Sequence, residues 1–145
     1  MKLDTAGKKA LHDREGLRLK PYLDTKGIPT IAMGNTFYLD GRKVTMKDKP
    51  LTIAQALQLA DAITSIFETA VSIIVKSKIN QNQFNALVSI AYNIGIAGFK
   101  SSTFLKLINI NPDDHNIASA IMMWVKDIEL IPRRCDEVCG YFLAR

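Results

Sequence analysis

Two rhythms divide the chain. From Thr52 onward, apolar residues recur at three- and four-residue steps over long stretches, which is the spacing of helices with one buried face. Before Thr52 the apolar runs are short and broken by glycine, which is the spacing of strands and turns. Thr52 and Gln55 form a capping-box pair that opens the longest helix, and Leu57, Ala60, Ile63, Ile66, Phe67, Ala70, Val71 and Ile74 form its predicted inner stripe. That run extends towards Lys78, long enough to admit a break between Thr64 and Glu68. Asn80 caps a second helix that runs to Ile94 and stops at Gly95, with Phe84, Leu87, Val88 and Ala91 inward. Asn111-Pro112-Asp113 separates two further helices, the later one carrying Ala118, Ile121, Met122 and Trp124. Pro132 suits the first turn of a last helix, where a missing N–H costs nothing.

The first third of the chain reads differently. Thr5 is the predicted cap of a helix through Arg14 with Ala6, Ala10 and Leu11 inward, and Gly16 is its stop signal. Two extended runs follow, Leu19–Asp24 and Ile28–Met33, around a Thr25-Lys26-Gly27 turn whose glycine tolerates positive φ. Phe37-Tyr38-Leu39 reads as a third short strand ending in an Asp40-Gly41 turn, and the polar segment Arg42–Lys49 reads as loop.

Composition narrows the class. At 145 residues, 48% hydrophobic and 23% charged, the chain fits a single globular domain or two small lobes sharing a helix. A net charge of +5 suits an anionic partner. The lysines and arginines are scattered, with no basic stripe interleaved with aromatics, so a nucleic-acid module is disfavoured. Cys135 and Cys139 lie four apart in a helical pattern, a spacing unsuited to a disulfide, and read as two buried small residues. With only His12 and His115 to add, no zinc set is expected. The N-terminus lacks the apolar run of a signal peptide or anchor.

The predicted elements bring Glu15 to a helix C-terminus, Asp24 to a strand end and Thr30 onto the next strand. Taken alone, such residues are ordinary solvated side chains. Taken together, two carboxyls and a hydroxyl suit hydrolysis of a glycosidic bond, with one acid to protonate the leaving oxygen and one carboxylate on the other face of the sugar.

Glu15, Gly16, Tyr22, Asp24, Gly27, Thr30, Ile31 and Gly34 fall without a gap on the frame Glu-Gly-x-x-x-x-x-Tyr-x-Asp-x-x-Gly-x-x-Thr-Ile-Gly-x-Gly-His. This segment resembles the active-site segment of the phage-type lysozymes, the endolysins of tailed phages. The resemblance continues through Phe84–Gly95, through Phe99–Leu105 and through Arg133-Arg134 followed by Glu137 and, further along, Phe142. Three positions depart: Ala32 stands where the family has Gly, Asn35 where it has His, and Glu129-Leu130 where it has Gly-Leu.

The resemblance implies a mainly helical α+β fold of lysozyme type: one catalytic domain over 1–145, with a β-rich lobe at about 15–50 and a helical lobe at about 51–145 that also takes in the N-terminal helix. The implied activity is hydrolysis of the β-1,4 bond between N-acetylmuramic acid and N-acetylglucosamine in bacterial peptidoglycan, without metal or cofactor. Glu15 would be the general acid, Asp24 the base or electrostatic partner, and Thr30 the holder of the water. Arg134 would return to the acid, while Met33, Gly34 and Asn35 would line the cleft. Asn93 can bind a sugar acetamido group or serve as an ordinary helix-end amide. Burial favours a neutral Glu15 and an adjacent Arg134 a charged one, a balance the sequence leaves open. The resemblance also implies a monomer without stable membrane insertion or nucleic-acid partner, which accumulates in the host cytoplasm until a membrane-permeabilising protein gives it access to the wall. The alternative is a catalytically weak peptidoglycan-binding protein of the same fold, motivated by Ala32, Asn35 and Glu129.

Overall fold

The computed structural model describes residues 1–143, in a mainly helical arrangement with one small sheet. In chain order the elements are α1 (Thr5–Glu15), β1 (Arg18–Leu23), β2 (Pro29–Ala32), α2 (Ile53–Ile74), α3 (Gln81–Ser101), α4 (Thr103–Ile110), α5 (Asn116–Met122), a 3₁₀ turn (Ile128–Leu130) and α6 (Ile131–Phe142). They form two units. One is Lys8–Ile66, and the other joins Met1–Gly7 to Phe67–Arg145, so α1 and α2 each contribute residues to both.

In the Lys8–Ile66 unit, β1 and β2 pair antiparallel with Tyr22 opposite Thr30, and the register shifts between Arg18 and Tyr22. The Thr25–Gly27 turn forms as expected, with Gly27 at φ +75°. The predicted third strand does not. Phe37 makes only an isolated bridge to Lys43, since Tyr38 and Gly41 close a tight turn over Arg42 (Tyr38 N–H to Arg42 O, 2.9 Å; Gly41 N–H to Tyr38 O, 3.0 Å). Segment 38–48 is nevertheless well organised, because the Asp48 carboxylate gathers four donors: Tyr38 Oη (2.9 Å), Arg42 Nη1 (3.0 Å), Thr45 N (2.9 Å) and Thr45 Oγ1 (2.8 Å). These bonds, the Thr45 amide foremost, hold the Asp48 carboxyl well below the usual carboxylate range. Burial and the Asp48 charge push the Tyr38 hydroxyl up. Ile31, Ala32, Val44, Ala56 and Leu59 form the core of this unit, with Leu17, Leu19, Tyr38 and Leu51 packed around it.

The capping box at α2 is present (Gln55 N–H to Thr52 Oγ1, 3.2 Å; Thr52 N–H to Gln55 Oε1, 2.9 Å), and the helix runs without interruption to Ile74. Its inner stripe differs from the expected one. Ala56, Leu59, Ala60, Thr64, Glu68 and Val71 are buried, while Leu57, Ile66 and Ile73 are exposed. A helix apolar on most faces offers several stripes, and packing partners choose among them. At α1 the cap is Asp4, whose Oδ1 accepts from Gly7 N at 2.8 Å, and Thr5 is the first helical residue. Ala6 is exposed and Leu11 is buried.

In the other unit, α3 carries the capping box Asn80–Gln83 and is interrupted at Gly95 (φ +82°), as its glycine predicts. It packs on α6 and α4, with Phe84, Leu87, Val88, Ile90 and Phe99 buried. Ser102 caps α4 by accepting from Leu105 N. Trp124 lies beyond the end of α5 at Met122, outside the helix the sequence assigned it to. Pro132 sits in the first turn of α6 as expected. Cys135 and Cys139 are exposed free thiols, contrary to the expected burial. Arg134, Glu137 and Tyr141 are the inward residues of α6, which turns both cysteines towards solvent.

Candidate active site

Glu15 is the last residue of α1. The helix stops there because Gly16, at φ +74°, takes a left-handed conformation that side chains disfavour, and its N–H bonds His12 O at 2.9 Å. The Glu15 side chain is half-buried, with Oε1 wholly so.

Asp24 follows β1 and closes the turn before β2. Its Oδ1 accepts from Lys26 N (2.8 Å) and Ile28 N (2.9 Å), while its own N–H bonds Ile28 O at 3.0 Å. An aspartate that hydrogen-bonds backbone two and four residues ahead is a local clamp, which fixes the carboxylate plane. Oδ2 takes no hydrogen bond from the described residues.

Thr30 is buried at 3% exposure, on β2 opposite Tyr22. Its hydroxyl donates to Ile28 O at 2.8 Å. The hydroxyl proton is thereby committed to backbone, and what the oxygen offers a third group is its lone pairs. Ile28 ties the two side chains together: its N–H holds Asp24, and its carbonyl receives both Asp24 N–H and Thr30 Oγ1. Ile28 was not among the sequence-derived candidates, because its contribution is made by the main chain.

Downstream of Thr30 the family departures acquire structure. Ala32 is the only described non-glycine residue at positive φ (+54°), and it is buried. Asn35 is buried too. Its Nδ2 donates to Leu59 O (3.0 Å) and its Oδ1 accepts from Met33 N (3.4 Å), so it braces the 33–35 turn against α2. Met33 is buried and Gly34, at φ +89°, is exposed.

Arg134 and Asn93 meet in the other unit. Arg134 is fully buried; it donates to Asn93 Oδ1, to Trp124 O (3.2 Å) and to Glu137 Oε2 (2.5 Å). Glu137, also buried, accepts from Arg133 Nε (3.0 Å) and Ser89 Oγ (2.6 Å) as well. One carboxylate thus serves two guanidinium groups. Asn93 is exposed, and with its carbonyl oxygen engaged it has its amide N–H groups to offer. A cavity of about 170 Å³ opens here, lined by Asn93, Ile94, Trp124, Lys126, Leu130 and Arg134. Glu137 was missed as a site residue, although its three- and four-residue spacing from Arg134 and Arg133 is the helical ion-pair signal. No cluster of metal-ligating side chains occurs among the described residues.

The phage lysozyme family model matches residues 12–137. The endolysin of Salmonella phage P22 is 37% identical over 142 residues, covering 94% of this chain and 95% of its own. Among solved structures, an endolysin from Escherichia coli O157:H7 phage FAHEc1 superposes with a TM-score of 0.87 at 37% identity, covering 98% of this chain and 94% of that one. A variant of P22 lysozyme superposes at 0.86 with 33% identity and 99% coverage of both chains.

Proposed function

The chain belongs to the phage lysozyme family, and from that premise we propose that it is a muramidase. It cuts the β-1,4 bond between N-acetylmuramic acid and N-acetylglucosamine in peptidoglycan and so lyses the host cell. Glu15 protonates the leaving oxygen. Asp24 Oδ2 draws a proton from, or electrostatically steadies, a water that also donates to Thr30 Oγ1. That water attacks the anomeric carbon on the face opposite the leaving group, and the product is the inverted α anomer. Met33, Gly34 and Asn35 line the cleft, Asn93 offers its amide to the substrate, and the buried Arg134 has a supporting role.

The observation that carries this reading is the Ile28 link, which fixes Asp24 Oδ1 and the Thr30 proton while leaving Oδ2 and a Thr30 lone pair for a water. A hydroxyl presented as an acceptor beside a carboxylate is useful for orienting water and superfluous for a direct nucleophile. In the host the protein waits in the cytoplasm for a membrane-permeabilising partner before it meets the wall.

Proton NMR of freshly released product from purified peptidoglycan, read before mutarotation, tests the mechanism: the α anomer appears first. A β anomer first makes Asp24 a nucleophile and removes Thr30 from its role. Glu15→Gln folds normally and loses at least ~10²-fold in rate, the lower end of general acid catalysis. Activity within a few-fold of wild type removes Glu15 from the acid's role.

A further inference from the structure

An exposed apolar ridge stands on the Lys8–Ile66 unit, just past the Met33–Asn35 turn. Phe37 is 49% and Leu39 64% exposed, at the start and tip of the turn that Gly41 closes. A groove of about 370 Å³ runs between this ridge and α2; its lining includes Phe37, Leu39, Leu59, Ile63 and Ile66, and also Gly34 and Asn35, assigned above to the substrate cleft. A second groove of about 260 Å³ shares Tyr38, Leu39 and Leu59 and adds Arg42, so Leu39 stands between the two. The ridge is rigid, because the Asp48 carboxylate pins Tyr38, Arg42 and Thr45 beneath it. Adjoining exposed apolar side chains, unlike singly scattered ones, mark an interaction surface.

Charge indicates what the ridge meets. Directly opposite bridge partners project to the same side of a ribbon, so Lys43 lies beside Phe37. Lys43, Lys47 and Lys49 are exposed, and none makes an ion pair with a described residue. The acidic groups nearby are Asp40, whose Oδ1 is bonded to Arg42 N, and Asp48, which is paired with Arg42. Unpaired lysines around protruding Phe and Leu side chains suit a surface with anionic headgroups above hydrocarbon. A glycan can cover such side chains only at the ring faces of its sugars, whereas a bilayer takes both tips into hydrocarbon.

We propose that this ridge docks the protein on an anionic phospholipid bilayer, with Phe37 and Leu39 entering the interface and Lys43 and Lys47 meeting phosphate. The docking is peripheral and uses Phe37, Leu39, Lys43 and Lys47, none of which has a role in the proposed hydrolysis. Flotation of the full chain with phosphatidylethanolamine–phosphatidylglycerol vesicles, against phosphatidylcholine vesicles, tests it. The protein floats with the anionic vesicles and is released by salt, while Leu39→Asp and the pair Lys43→Glu with Lys47→Glu each lower the bound fraction about tenfold. Clearing of purified peptidoglycan by both variants stays at the wild-type rate, which reports their folding. Should Leu39→Asp misfold, the lysine pair, at exposed positions, decides alone. Equal binding to both vesicle types, no binding to either, or anionic binding that survives the substitutions overturns the proposal. So does a parallel loss of binding to purified sacculi, which would make the ridge a wall contact.

Discussion

Asp24 and Thr30 are joined through a single peptide unit on each side of Ile28: the amide of Ile28 bonds the carboxylate, and its carbonyl takes the hydroxyl proton at 2.8 Å. The two side chains are therefore set by backbone geometry rather than by each other. A carboxylate held by one oxygen keeps the other for chemistry, and a hydroxyl that has given up its proton becomes a directed acceptor.

This arrangement separates catalysis from stability at Thr30. Thr30→Val removes the hydroxyl, but Ile28 O keeps its bond from Asp24 N–H, so stability falls by no more than about 1.5 kcal/mol. The rate of peptidoglycan clearing falls about a hundredfold, and Thr30→Ser restores most of it. A valine variant with wild-type kcat would show that the hydroxyl is only structural.

Glu137 is the opposite case, a residue whose removal is felt first in folding. It is 1% exposed and bonded to Arg133, Arg134 and Ser89. Glu137→Gln leaves two guanidinium groups around a neutral amide, which costs about 3 kcal/mol. Urea denaturation of the variant beside wild type measures this. A loss below ~1 kcal/mol would mean that water or another group compensates Arg134.

Asp48 gives a pH signature. Its carboxyl is held low in the folded state, chiefly by the Thr45 amide, so its contribution is complete above the ordinary carboxylate range and lost as pH falls through the lowered folded value. Asp48→Asn is therefore less stable than wild type by a constant margin above about pH 5, and the margin narrows below about pH 4. Urea midpoints of the two proteins across that range show it. A margin that does not change with pH would mean that the asparagine loses shape rather than charge.

Ala32 occupies a left-handed conformation at φ +54° inside the core of its unit. Ala32→Gly relieves the strain while losing a buried methyl and adding chain entropy, so thermal stability changes by less than about 1 kcal/mol. Ala32→Val, β-branched at positive φ in a filled space, destabilises by about 3 kcal/mol. Calorimetry on the pair distinguishes strain from packing, and a tolerated valine would argue that the backbone moves out of the left-handed region.

What the sequence determined by itself was local. Gly16, Gly27 and Gly95 end or turn the chain where positive φ is needed, the Thr52–Gln55 and Asn80–Gln83 boxes start helices, and Pro132 opens the last one. Each depends on interactions within four residues, which composition and spacing encode directly. The positions of Glu15 on a helix end and Thr30 on a strand followed from the same rules, while Asp24, expected at a strand end, falls one residue past it in the turn. Tertiary structure decided what depends on partners remote in sequence. α2 is apolar on most faces, so only packing could bury Ala56, Thr64 and Glu68 and leave Leu57 and Ile66 in solvent. Burial of Arg134 and Glu137 turned Cys135 and Cys139 outward, against the expectation from their small size. Packing within a core likewise holds Ala32 at a φ that its side chain disfavours, because a conformation costing about 1–3 kcal/mol persists only where its surroundings enforce it.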